Sequence, residues 1–262
     1  MPTLFRALKG ALPYALRSSL DRAILQVRGL SGFYERAYEA LASTLPPTQS
    51  IGGGEYDLFG KIELGLLQLE GLKPTDTVVD LGCGTGRLAV HLIPWLRGGR
   101  YLGIDISRIM LGKAARSTAG LAGAAVEWKH QGTSRFDLPD ASVEVICAFS
   151  VFTHMEAEDT YRYFVDALRV VRPGGKLILS CLPLSLEVAR KIFLDSARLE
   201  LHERWDTVRN VVTTEESVET IASLAGWKPV RWHRGDQPSV RVPGVDGPQT
   251  LGQSTCVLQR PS

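Results

Sequence analysis

Asp80 and Asp105 each close a short apolar run, TVVD and LGID, and between them lies the stretch LGCGTGRLA. A carboxylate at the end of a strand can accept hydrogen bonds from both hydroxyls of a ribose. Gly82, Gly84 and Gly86 let the backbone turn sharply and lie against a ligand, where a Cβ would obstruct it. From Arg87 onward, Leu88, Ala89, Leu92, Ile93 and Leu96 have helical spacing, so the stretch reads strand, tight turn, helix. A glycine-rich turn opening a helix in an α/β unit is a nucleotide-type site. A dinucleotide fingerprint would carry a glycine three residues after Gly84, where Arg87 stands. Asp80 would also repel a pyrophosphate lying against the turn, whereas it suits a ligand with an amine and a sulfonium. A ribose without a pyrophosphate, joined to a cationic amino-acid end, describes S-adenosylmethionine.

Methyl transfer from a sulfonium is an in-line displacement with a good leaving group already in place. The protein then positions the nucleophile and excludes water. A hydroxyl acceptor also benefits from a base, and His154, in the segment SVFTHM leaving the fourth strand, is the candidate. The alternative for His154 is a histidine bonded to backbone, and His130, at the end of a strand, reads as structural. Glu156, Glu158 and Asp159 fall in the first turn of a helix, where they complement its dipole more simply than they hold a metal.

Strands are expected at Thr77–Leu81, Arg100–Ile104, Ala124–His130, Val143–Phe149 and Lys176–Leu182, alternating with helices over Glu55–Leu69, from Arg87, Ser107–Thr118 and Glu156–Val171. Ser107 is placed to cap its helix, and the segment RPGG at Arg172–Gly175 ends the last of these. Such alternation implies a parallel, doubly wound sheet, whose ligands sit beyond the carboxyl ends of the strands. Asp80, Asp105, Thr133, Ser150 and His154 all fall at those ends, although far apart in sequence. Beyond the sheet core, a helix is expected over Ser185–Leu201, followed by an irregular stretch to Val212. Thr213-Thr214-Glu215-Glu216 forms a capping box for a helix ending at Gly226. Trp227–Trp232 and Ser254–Gln259 read as an antiparallel pair, and the Pro- and Gly-rich loop Gly235–Gly252 between them reads as functional or disordered. Residues 1–50 read as a helical cap or lid. Basic residues Arg6, Lys9, Arg17, Arg22 and Arg28 face a single acid, Asp21, over residues 1–30, so this part either packs on the core with a solvated basic face or rests on an anionic membrane. The run Gly52-Gly53-Gly54 either covers the methionine end of the cofactor, with Tyr56 or Phe59 closing over it, or is a flexible linker.

The chain has 262 residues, 44% hydrophobic and 22% charged, enough for one domain with a cap or for one and a half domains. Its net charge of +2 gives no electrostatic reason to propose a nucleic-acid partner. No apolar run approaches the roughly 20 residues a membrane-spanning helix needs. The four cysteines, Cys83, Cys147, Cys181 and Cys256, are dispersed without metal-ligand spacing and read as reduced, mostly buried thiols of a cytoplasmic protein.

With VVDLGCGTGRLA, LGID, a DLPD segment before the fourth strand and RVVRPGGKLILS in place, the chain resembles class I S-adenosylmethionine-dependent methyltransferases over roughly residues 51–182. IGGGEYDLFG and SVFTHM resemble a bacterial subgroup, many of whose members act in natural-product or surface-glycan pathways. The resemblance implies a Rossmann-like α/β fold: a doubly wound, mostly parallel seven-stranded sheet with an antiparallel C-terminal hairpin and the N-terminal helical cap. Residues 51–262 would form the methyltransferase domain, with 185–212 as a substrate-covering insertion. It also implies cofactor binding by Gly53, Asp80, Gly82, Cys83, Gly84, Asp105, Ile106, Gly132, Thr133 and Ser150. The family's acid after the third strand, which bonds the adenine amine, is replaced here by Thr133, with Asp137 a few residues on. The expected activity is methylation of a hydroxyl on a small molecule or glycan. Alternatives are an N- or C-methyltransferase, a macromolecule methyltransferase, and a non-catalytic cofactor-binding module. No motif identifies the acceptor or the oligomeric state.

Overall fold

A computed structural model describes residues 34–46, 48, 55–204 and 208–262. Seven strands form one sheet: β1 (Thr77–Leu81), β2 (Arg100–Asp105), β3 (Ala125–His130), β4 (Val143–Ala148), β5 (Val171–Cys181), β6 (Lys228–His233) and β9 (Ser254–Gln259). Their order is β3-β2-β1-β4-β5-β9-β6. The first five pair in parallel, and β9 runs antiparallel to both β5 and β6. This is the Rossmann-like, doubly wound arrangement expected, with its antiparallel C-terminal pair. Chain order runs outward from β1 to β3 and then returns to β4 on the other side of β1. The direction therefore reverses between β1 and β4, which is where such sheets open a crevice at their carboxyl ends.

Successive residues of a strand point to opposite faces, and the core divides accordingly. Val78, Val145, Cys147 and Ile178 pack with Ile62, Leu66 and Leu67 of α2 (Tyr56–Leu69) and Leu92 and Ile93 of α3 (Ala89–Trp95). Val79, Ile146, Leu177 and Leu179 pack on the other face with Phe164 and Ala167 of α5 (Ala157–Val170) and with Val218 and Ala222 of α7 (Glu215–Leu224). The helix α4 (Arg108–Ser117) is capped as expected, the Ser107 hydroxyl accepting from Met110 N. A cap helix, α1, covers residues 34–44.

Several boundaries differ from the sequence reading. β5 begins at Val171 and carries RPGG within it, with a register shift against β4 between Val143 and Val145. The cap of α7 is Thr214 rather than Thr213, so Ser217, and not a glutamate, stands at the third position and donates its N–H to Thr214. The helix after Ser185, α6, is only Glu187–Ala197. The loop Gly235–Gly252 is neither shapeless nor at the site. It contains a small hairpin, β7 (Val240–Arg241) with β8 (Pro248–Gln249), whose Val240 and Val242 join the α2 core. A Cβ on Gly65 of α2 would come within 2.7 Å of the Val240 side chain, so the glycine admits this hairpin. No described helix is long and apolar enough to cross a membrane.

Candidate active site

The glycine turn leaves β1 with left-handed backbone at Gly82, Gly84 and Gly86 (φ +70°, +56° and +90°). An L side chain there would be strained, and at Gly82 a Cβ would also meet Val151 Cγ2 at 2.3 Å. The sequence suggested that the turn offers its amides to a ligand. Instead Gly82 N and Cys83 N donate to Ile104 O (2.7 and 3.1 Å), and Gly84 N donates to Asp105 Oδ2 (2.8 Å). Ser107 N donates to Asp105 Oδ1 at 2.8 Å. The turn and α4 thus clamp Asp105 between two backbone amides while leaving lone pairs on both oxygens. Burial pushes the Asp105 carboxyl up to about 6 against the pull of those amides.

Asp80 is 3% exposed, and the Tyr101 hydroxyl donates to its Oδ2 at 2.7 Å. Burial raises its pKa to about 7, the Tyr101 bond opposing and the charge of Glu63 adding to the rise. The buried Glu63 forms an ion pair with the half-buried Arg87 beside it. A Cβ on Gly60 would lie 2.3 Å from Arg87 O, so the glycine lets α2 approach the turn closely enough for Glu63 to reach. In the sequence Arg87 stands out only as the residue in place of a dinucleotide-site glycine, and Glu63 does not stand out. Its signal was a carboxylate among the buried apolar positions Ile62, Leu66 and Leu67.

Beyond β3, Gln131 Nε2 donates to Thr133 O (3.0 Å), and Gln131 Oε1 is buried without a partner. Asp137 is exposed and bonded to Lys129 (2.7 Å), outside the cavity. His130 is structural as read, its Nε2 donating to Ile106 O (3.0 Å), with Glu35 at 3.4 Å.

His154 closes a 3-10 turn, Phe152–His154, after β4. Its Nδ1 lies 2.8 Å from Arg209 O. A carbonyl only accepts, so Nδ1 carries the proton and Nε2 of the neutral ring keeps its lone pair. Burial lowers the His154 pKa below its ordinary value. The strap holding it is tied down twice more, by Val211 N to Thr153 O (2.6 Å) and by the Arg209–Glu156 ion pair. Across the cavity, Tyr34 and Tyr38 of α1 set their rings 6.1 and 6.0 Å from the His154 ring.

A single cavity of about 810 Å³ joins these parts. Asp80, Gly82, Cys83, Gly84, Asp105, Ile106, Gly132, Thr133, Ser150 and His154 all line it. Ser150 does so from a left-handed backbone (φ +61°), with its N–H donated to Ser180 Oγ (2.7 Å). Gly53 and the basic residues Arg6 to Arg28 lie outside the described residues. Tyr56 and Phe59 do not close over the site. The Tyr56 hydroxyl is bonded to Thr85 (3.1 Å), and the Phe59 ring lies under the Arg87 guanidinium. Glu63, Arg87, Gln131, Tyr34, Tyr38 and Thr153 also face the cavity, Arg87 from within VVDLGCGTGRLA and Thr153 from within SVFTHM, although no sequence signal gives any of them a cofactor role.

Residues 78–175 match the family model described as a methyltransferase domain. The arsenite methyltransferase of Halobacterium salinarum is 25% identical over 186 residues, covering 70% of this chain and 45% of that protein. The 27-O-demethylrifamycin SV methyltransferase of Amycolatopsis mediterranei is 30% identical over 109 residues, covering 41% of this chain and 39% of that protein. The chain thus spans less than half the length of these two relatives. Among solved structures, the magnesium protoporphyrin IX methyltransferase of Synechocystis PCC 6803, with bound S-adenosylhomocysteine, superposes with a TM-score of 0.57 at 18% identity, covering 93% of this chain and 99% of that one.

Proposed function

We propose that this chain, whose residues 78–175 form a class I methyltransferase domain with S-adenosylmethionine as its cofactor, methylates a hydroxyl of a small molecule or glycan. His154 is the base in this reading. The observation that carries it is the presence, in one cavity, of a clamped strand-end carboxylate and a histidine whose Nε2 is free to accept a proton.

The donor set fits the cofactor. Asp105 offers two anionic oxygens to the ribose hydroxyls, and the unpartnered Gln131 Oε1 offers an acceptor to the adenine amine in place of the family's acid. Asp80, Glu63 and Arg87 supply carboxylates and a guanidinium for the zwitterionic amino-acid end. When bound, the cofactor supplies a sulfonium methyl with a neutral thioether as leaving group. The protein's own part is to hold the acceptor in line with that methyl, keep water out and take the hydroxyl proton on His154. The four cysteines are buried and unpaired, which supports a reducing, cytoplasmic location.

The test is a methyl-transfer assay on hydroxyl acceptors, with His154→Ala beside the wild type. The substitution should cut turnover by roughly a hundredfold or more and leave S-adenosylhomocysteine affinity unchanged. Full turnover in the variant would leave positioning as the whole mechanism.

A further inference from the structure

Where α1 and α5 border it, the cavity is walled by rings. Tyr34 and Tyr38 stand one helical turn apart on α1 and flank His154. Tyr163 of α5 reaches the same space, its ring held edge-on by Phe136 and Phe152, each 6.2 Å away. Burial raises all three phenols, Tyr163 to about 12 and Tyr38 further, the Asp105 charge contributing at Tyr38. These walls are therefore neutral near pH 7 and supply no rival base. Polar side chains line the cavity as well, among them Arg162 and Asp159, paired at 3.8 Å, and the exposed Asn210.

We infer that the methyl acceptor is a phenol, its ring packed among Tyr34, Tyr38 and Tyr163 and its hydroxyl facing His154. This rests on the methyl-transfer reading above and narrows it. A flat ring gains offset or edge-on aromatic contact there. Acid strength points the same way. A neutral histidine with a pKa below the ordinary 6.5 is a weak base, separated from a phenol (about 10) by more than about three powers of ten but from an aliphatic hydroxyl, close to water's ~15.7, by more than about nine. In the transfer, the phenol O–H bond breaks and its proton goes to His154 Nε2. The oxygen lone pair forms the new O–CH₃ bond as the S–CH₃ bond breaks, its electron pair remaining on sulfur. The His154 proton then passes to solvent.

The experiment titrates the full chain, saturated with S-adenosylhomocysteine, with 2-naphthol followed by its fluorescence, and in parallel with methyl β-glucoside. Saturable 2-naphthol binding should weaken about tenfold, or roughly 1.4 kcal/mol, in Tyr34→Ala and persist in Tyr34→Phe, which keeps the ring. The glucoside should not compete. Glucoside binding as tight as that of 2-naphthol, or 2-naphthol binding indifferent to Tyr34→Ala, overturns the inference while the methyl-transfer reading stands. Failure of S-adenosylhomocysteine itself to bind overturns both.

Discussion

Asp80 and Asp105 are poised to couple cofactor binding to pH. Their carboxyls, raised by burial to about 7 and about 6, hold protons in the folded, ligand-free protein that the unfolded chain releases near 4. Between about pH 4 and 7 the native state binds more protons, so these two groups make the ligand-free protein lose stability as pH rises through that window. A ligand presenting hydroxyl donors and a cationic amine favours the ionised acids. S-adenosylhomocysteine affinity should therefore rise several-fold from pH 5.5 to 7.5, with proton release detectable by calorimetry in buffers of different ionisation enthalpy; affinity flat with pH would mean the acids are already ionised. Asp105→Ala should cost about 1.5–3 kcal/mol of cofactor affinity, the scale of hydrogen bonds to a charged group. With His154 as the proposed base, turnover is expected to have an acid limb: the folded pKa lies below the ordinary 6.5, so activity should fall only as pH drops below that value. The identity and strand-end position of Asp80, Asp105 and His154 were legible in the sequence because residue type and strand alternation are local. The Glu63–Arg87 pair was not, because it depends on how closely α2 approaches the turn at Gly60, a tertiary fact.

At the scale of elements, the site depends on two pieces laid over the sheet. Helix α1 is pinned at the entrance to α4. Glu39 Oε1 accepts from Ser107 Oγ (3.0 Å) and Ile109 N (3.2 Å), while Lys113 Nζ donates to Ala42 O and Leu45 O at the far end of α1. A carboxylate at one helix's N-terminus and an ammonium at another's C-terminus both meet favourable dipole ends. Ser107 and Ile109 directly follow the Asp105 loop, so loosening α1 should be felt at the ribose end. Glu39→Ala and Lys113→Met should each raise the S-adenosylhomocysteine dissociation constant by roughly three- to tenfold, about 0.7–1.4 kcal/mol. Thermal stability should move little, because these bonds lie at the edge of the fold. Unaltered affinity in both variants would show α1 to be a cover without a role in binding. The sequence placed α1 within the helical cap of residues 1–50. What it covers was hidden, because Tyr34 and Tyr38 have the same spacing whether they face a core or a cavity. The one-residue error at Thr213 has a similar origin. Both threonines can cap, and the bridge between Pro183 and Thr213 commits the first to extended pairing, which leaves Thr214 to start α7.

At the scale of the molecule, the sheet was legible because its strands alternate with amphipathic helices and its two faces have separate apolar sets. The β7–β8 hairpin was not, since two-residue strands leave no periodicity and their burial is decided by Gly65 on a distant helix. The same long-range logic governs the far side of the fold. There Glu70, at the end of α2, is 6% exposed and accepts from His233 Nε2 (2.7 Å), Lys176 Nζ (3.2 Å) and Arg231 (3.3 Å). One carboxylate thereby ties α2 to β5 and β6, on the other side of the β1–β4 crevice from β2 and β3. Burial pushes its pKa up, but the His233 and Lys176 bonds outweigh it and hold the group below its ordinary value. Its contribution to stability is therefore fully present above about 4.5 and is lost as pH falls through the lower folded pKa. Glu70→Gln keeps the shape but removes the charge, leaving Lys176 and Arg231 without their counterion. A cost of about 3 kcal/mol is expected, the scale of a broken buried ion pair, read as a lower denaturant midpoint with unchanged slope. No residue of this cluster lines the cavity, so S-adenosylhomocysteine affinity should be preserved while the variant is folded. A loss of affinity at full folding would mean that α2 transmits the disturbance through Glu63 to Arg87 and the glycine turn. That would make the helix a coupling element between the two ends of the molecule instead of a passive brace.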